Sequence, residues 1–173
     1  ILDDHLRDLI ASSPSVTEFR RICCERGMVS LREDGFATWA VGKWHLTPMR
    51  EASAVGPFGD WPLQRGFDRY YGFMQGETDQ FHPELYEDNR LVDQPRTPEE
   101  GYHVTEDLVD HAVDLMRTQH SMVPERPFFL YLAYTIPHAN NEYWLVEEHG
   151  MEVPDYGQYA DKDWPGAQVG LAA

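Results

Sequence analysis

Two nearly continuous apolar runs, each leading directly into polar residues, constrain the fold of this chain most strongly. Phe36–Val41 leads into Gly42-Lys43-Trp44-His45, and Phe128–Tyr134 leads into Thr135-Ile136-Pro137-His138. Apolar runs rich in β-branched and aromatic residues, without polar alternation, are typical of strands buried in the middle of a sheet. The sequence therefore predicts two buried strands, the first ending at Gly42, with Lys43, His45 and His138 beyond their carboxyl ends.

A helix is predicted before the second strand. Thr105 is a suitable cap, Glu106 and Asp107 favour the first turn, and one face carries four apolar residues, namely Leu108, Ala112, Leu115 and Met116. A helix followed by an apolar strand and a polar tip is the rhythm of α/β folds. The predicted fold class is therefore α/β, with a sheet preceded by short helices.

The remaining segments are less regular. Residues 1–34 are predicted to be helical, with capping boxes at Ser15–Glu18 and Ser30–Glu33 and a helix stop at Gly27. Residues 47–104 carry many turn formers and no clear periodicity, so no regular element is predicted there. We divide the chain into a helical N-terminal segment, 1–34, and a second unit, 35–173.

Composition excludes several classes of function. The chain has 173 residues, 42% of them hydrophobic, and a formal charge of −16. Nucleic-acid binding needs a basic patch that this acidic chain lacks, so no nucleic-acid partner is expected. No apolar run reaches membrane-spanning length and no leader is recognisable, so no membrane partner is expected and the compartment stays undetermined.

The adjacent Cys23 and Cys24 cannot form an ordinary disulfide with each other.

Lys43, His45 and His138 are the candidate catalytic residues. The carboxyl ends of neighbouring strands meet at one edge of an α/β sheet, where ligands bind. A lysine ammonium suits a tetrahedral oxyanion, and histidine is the usual proton carrier near neutral pH. Such a cluster suits cleavage of an anionic ester, although spacing alone leaves open that the histidines are hydrogen-bonded structural residues.

The segment from Gly35 to Leu46, GFATWAVGKWHL, resembles a signature of the formylglycine-dependent sulfatases. The similarity continues through WPLQRGFD and YYGF, through GETDQF of an arylsulfatase subgroup, and into PFFLYL with Pro137-His138. The resemblance implies a fragment of an alkaline-phosphatase-like sandwich around a mixed sheet, with calcium and formylglycine in the complete protein. It further implies that Lys43 contacts the sulfate, His45 supports the nucleophile and the expulsion of sulfate, and His138 assists the leaving group of a small-molecule or carbohydrate sulfate ester.

Several features depart from the sulfatase pattern. The nucleophile motif C/S-x-P-S-R is missing, since Ser12-Ser13-Pro14-Ser15 is followed by Val16, and no calcium ligands are recognisable. We therefore expect a catalytically incomplete fragment that lacks flanking segments of its own domain, from a family that is often periplasmic or secreted.

Residues 1–34 faintly resemble the tail of type II secretion and type IV pilus ATPases, which suggests a fusion. Two alternatives remain. The first is a phosphate or phosphonate ester hydrolase of the same superfamily, and the second is a non-catalytic or decayed product.

Overall fold

The computed structural model describes residues 27–136, residue 138 and residues 157–163. The described part of the chain begins with a helical segment, residues 27–33 (α1). The elements that follow α1 are β1 (Ala37–Lys43), β2 (Arg69–Phe73), β3 (Leu85–Glu87), β4 (Arg90–Val92), α2 (Val104–Met122) and β5 (Phe128–Ala133), with short 3₁₀ turns at Met49–Glu51, Pro62–Arg65, Pro98–Glu100 and Gly157–Tyr159.

The strands form one mixed sheet in the order β4-β3-β2-β1-β5. Strand β1 pairs in parallel with both β2 and β5, whereas β3 and β4 are antiparallel additions. The carboxyl ends of β2, β1 and β5 therefore lie at one edge of the sheet. This mixed sheet with a packed helix confirms the predicted α/β class.

The two faces of the sheet bury different side chains because successive strand residues point in opposite directions. On one face Tyr70 packs with Trp44 and Trp61. On the other face Tyr71 packs beneath α2, against Leu108 and Tyr102. Both sides of the central strands are thus covered, which agrees with the nearly continuous apolar character of β1.

A buried carboxylate ties α2 to β2. Asp107 accepts hydrogen bonds from the hydroxyls of Tyr71, at 2.7 Å, and Tyr102, at 2.9 Å, and its other oxygen lies 3.1 Å from Nδ1 of His111. Burial alone would raise the pKa of Asp107, but the hydrogen bonds from His111 and the two tyrosines outweigh it and lower that pKa. Burial also opposes charge on His111, yet its bonds to Asp107 raise the pKa of the imidazole.

Several predictions about individual elements are wrong. Residues 47–104 contain three strands, because β2, β3 and β4 are too short to show periodicity. Helix α2 begins at Val104 and is capped by His103, whose Nδ1 accepts from the backbone N–H of Thr105 at 3.3 Å. Gly27 and Ser30, predicted as a helix stop and a helix cap, both lie within α1.

The two predicted strands form, with two corrections. Strand β1 runs one residue further than predicted, so that Lys43 is its last residue. Strand β5 is not buried, since it has a single partner among the described strands and Phe128 and Tyr131 are 41% and 44% exposed. The boundary between residues 34 and 35 stays a prediction, and the described residues on its N-terminal side pack on the sheet through Met28.

Candidate functional site

Lys43 and His45 are placed by the way β1 ends. The chain continues alongside β2 beyond the regular strand, because the N–H of Trp44 donates to the carbonyl of Phe73 at 3.1 Å and that of His45 to Met74 at 3.2 Å. The indole of Trp44 is buried, and its Nε1 donates to the carbonyl of Asp60 at 2.9 Å. Trp44 thus anchors the segment in the core while His45 remains exposed at the edge.

Two backbone conformations at this edge are unusual. Gly42 has a φ of 108°, and a Cβ there would overlap the carbonyl oxygen of Ala133 on β5. His45 has a φ of 52°, a left-handed conformation that non-glycine residues adopt rarely and that is often found at functional sites. The glycine before Lys43 is therefore required by close strand packing, and His45 is held in a strained position.

The third candidate, His138, reaches the same edge from β5. Its N–H donates to the carbonyl of Thr135 at 2.9 Å, which turns the chain back just after the strand. Its Nδ1 lies 3.7 Å from Oε2 of Glu77, a residue in the segment that follows β2. The three parallel strands thus bring residues far apart in sequence to one edge of the sheet.

The pKa of His45 responds to three charged or titratable neighbours at this edge. Its pKa is lowered, first by partial burial of the ring and then by the nearby charges of Lys43 and His138, while Glu77 opposes this change. Gly76 is one of the residues that cover the ring, because a Cβ added to it would lie 2.7 Å from Cε1 of His45. A lowered pKa favours the neutral imidazole near neutral pH, the form that accepts a proton.

Sequence reasoning assigned no role to Glu77. The residue lies in the GETDQF segment, which carried part of the family resemblance, but nothing in the linear pattern indicated that its carboxylate approaches His138. Ser12, Cys23 and Cys24 lie outside the described residues. Within the described ranges, no three side chains of His, Cys, Asp or Glu come together as a metal site.

Comparison with known proteins decides the family. The family model named Sulfatase matches residues 28–168. The chain belongs to the sulfatase family. It is 30% identical over 143 residues to the uncharacterized sulfatase YdeN of Escherichia coli strain K12, and 30% identical over 121 residues to arylsulfatase J of Mus musculus.

These matches cover much of this chain but little of its relatives. The chain spans 24% of the length of YdeN and 18% of arylsulfatase J, while 73% and 63% of its own length is matched. It corresponds to part of a sulfatase catalytic domain. A solved structure, the PsFucS1 sulfatase from Pseudoalteromonas sp., is similar over 64% of this chain and 26% of its own, with 20% identity and a TM-score of 0.46.

Even the 19-residue α2 is amphipathic, and no helix within the described ranges combines the length and apolar character needed to cross a bilayer.

Proposed function

We propose that this chain supplies the anion-binding and proton-transfer side of a sulfuric ester hydrolase site, which acts on sulfate monoesters in the complete protein. One observation carries the proposal. In a chain of the sulfatase family, Lys43, His45 and His138 lie at the same edge of the sheet, and the charges of Lys43 and His138 both act on His45. The substrate is a small-molecule or carbohydrate sulfate ester.

Each side chain has a role that follows from its chemistry. The ammonium of Lys43 offsets the negative charge of the sulfate oxygens as a compact point charge. The neutral imidazole of His45 accepts a proton from the group that attacks or expels sulfate. His138, when protonated, donates a proton to the ester oxygen as the sulfur–oxygen bond breaks, so that the leaving group departs as a neutral alcohol or phenol.

The family uses calcium and formylglycine, which would bind the sulfate oxygens and supply the nucleophile. The described residues assemble no ligand set for calcium, and the sequence contains no C/S-x-P-S-R motif from which formylglycine is made. We infer that this chain alone is catalytically incomplete, since losing a covalent nucleophile costs about a million-fold in rate in a well-studied hydrolase.

The test is an assay of the purified chain with 4-nitrophenyl sulfate, with calcium and the formylglycine-generating enzyme supplied. We expect no turnover above that of the Lys43→Ala variant. Turnover that Lys43→Ala abolishes would contradict the inferred incompleteness while supporting the site. A parallel assay with 4-nitrophenyl phosphate tests the alternative of a phosphate ester hydrolase.

A further inference from the structure

The segment after β2 contacts both histidines of the candidate site. Glu77 places Oε2 3.7 Å from Nδ1 of His138, an ion-pair distance rather than a hydrogen bond, and its side chain is 22% exposed. Its neighbour Gly76 lies against His45, where an added Cβ would be 2.7 Å from Cε1 and 2.8 Å from Nε2. Gly76 and Glu77 therefore lie between His45, which follows β1, and His138, which follows β5.

Basic side chains crowd this edge of the sheet, and a carboxylate among them reduces their mutual repulsion. Lys43 and His138 both act on His45 as positive charges, and like charges held close together disfavour one another's charged forms. The carboxylate of Glu77 has the opposite effect and raises the pKa of His45. A single carboxylate thus offsets the repulsion that assembling three basic side chains creates.

We propose that Glu77 is a positioning residue of the sulfatase site, whose carboxylate orients the ring of His138 through Nδ1 and leaves Nε2 as the nitrogen that serves the leaving group. This inference rests on the proposed function. Glu77 acts through the histidines beside it and is not itself a catalytic residue.

The chemistry of the leaving-group step explains why this orientation matters. When protonated His138 gives its Nε2 proton to the ester oxygen, the neutral ring that remains carries its proton on Nδ1. A carboxylate beside Nδ1 stabilises both the imidazolium before transfer and this tautomer afterwards, as the carboxylate does in serine hydrolase triads. Without the carboxylate, the preference for a proton on Nδ1 loses this support.

The test uses nitrogen-15 NMR of the full chain, because the shifts of a neutral imidazole report which nitrogen carries the proton. We expect His138 to carry its proton on Nδ1 in the wild-type chain and in Glu77→Asp, and to lose that preference in Glu77→Gln. Glu125→Gln is the matched control, since it removes one negative charge from the turn at the opposite end of β5. A wild-type His138 protonated on Nε2, or a tautomer unaffected by Glu77→Gln, would overturn the proposal.

A second readout is the pKa of His45 in the same samples. Removing the carboxylate in Glu77→Gln is expected to lower this pKa further, whereas Glu125→Gln leaves it unchanged. If Glu77→Gln fails to fold, His138→Gln is expected to raise the pKa of His45 by removing a positive neighbour; a pKa that stays the same contradicts the coupling. None of these measurements requires sulfate binding, so this inference can fail while the proposed function holds, and the reverse.

Discussion

Replacing Gly42 by alanine tests why the residue before Lys43 is a glycine. Two costs add at this position. The φ of 108° is disfavoured for any residue with a Cβ, at about 1–3 kcal/mol. The new methyl would also overlap the carbonyl oxygen of Ala133 and lie 2.7 Å from its carbonyl carbon, and such overpacking costs about 1–3 kcal/mol more.

Gly35→Ala is the matched control, because Gly35 also has a positive φ, 89°, but a Cβ there meets nothing within 4 Å. We expect Gly42→Ala to lose roughly 2–6 kcal/mol, and Gly35→Ala only the conformational part, about 1–3 kcal/mol. Domains of this size are stable by about 5–15 kcal/mol in total, so the larger loss approaches complete unfolding.

The assay is urea unfolding at equilibrium, followed by the fluorescence of the five tryptophans. A Gly42→Ala variant that fails to fold, beside a folded Gly35→Ala, agrees with the reasoning. Equal losses of unfolding free energy in the two variants would refute it, because the close approach of β1 and β5 would then contribute nothing.

Three further predictions concern the core and the edge of the sheet. Tyr71→Phe should lower the unfolding free energy by about 1.5–3 kcal/mol, because it removes a buried hydrogen bond to the Asp107 carboxylate, whereas the control Tyr131→Phe, at an exposed ring, should change it by less than about 0.5 kcal/mol. The Asp107–His111 pair should stabilise the fold most between about pH 4 and 6.5. Because the pKa of Asp107 is lowered, its contribution is complete above the ordinary aspartate value of 3.8, and because the pKa of His111 is raised, its contribution is complete only below the ordinary histidine value of 6.5. His111→Gln should therefore destabilise more at pH 5.5 than at pH 9 in urea titrations, and an equal loss at both would contradict this. Gly76→Ala should move the His45 ring by roughly 0.8 Å, the difference between 2.7 Å and an ordinary carbon contact of about 3.5 Å, which NMR would detect as shifted His45 signals; unshifted signals would refute that contact.

The sequence predicted the long strands but missed the short ones. Strands β1 and β5 were recognisable because apolar residues fill Phe128–Ala133 and, apart from Thr38, the run Phe36–Val41. Strand β2 has five residues with Gly72 among them, and β3 and β4 have three each, too few for a pattern to emerge. The cap of α2 was missed because His103 is not a usual capping residue, although its ring nitrogen accepts a hydrogen bond as a serine oxygen would.

The meeting of Lys43, His45 and His138 at one edge of the sheet could be predicted because it depends only on topology. Parallel strands end at the same edge, so residues after β1 and β5 had to meet once those strands were adjacent. Glu77 could not be found in this way, because its position depends on the path of the chain after β2, a strand that the sequence did not reveal. The catalytic roles of Lys43, His45 and His138 stay a prediction.

Titration of the chain with inorganic sulfate tests the central claim most directly. If the edge formed by Lys43, His45 and His138 binds the sulfate group, the imidazole signals of both histidines should shift together and saturably in NMR spectra. Lys43→Ala should weaken this binding by at least tenfold, while Lys162→Ala, which removes the same charge from a turn after Gly157–Tyr159, should leave it unchanged. Shifts that are absent, that do not saturate, or that respond equally to both lysine variants would contradict the account.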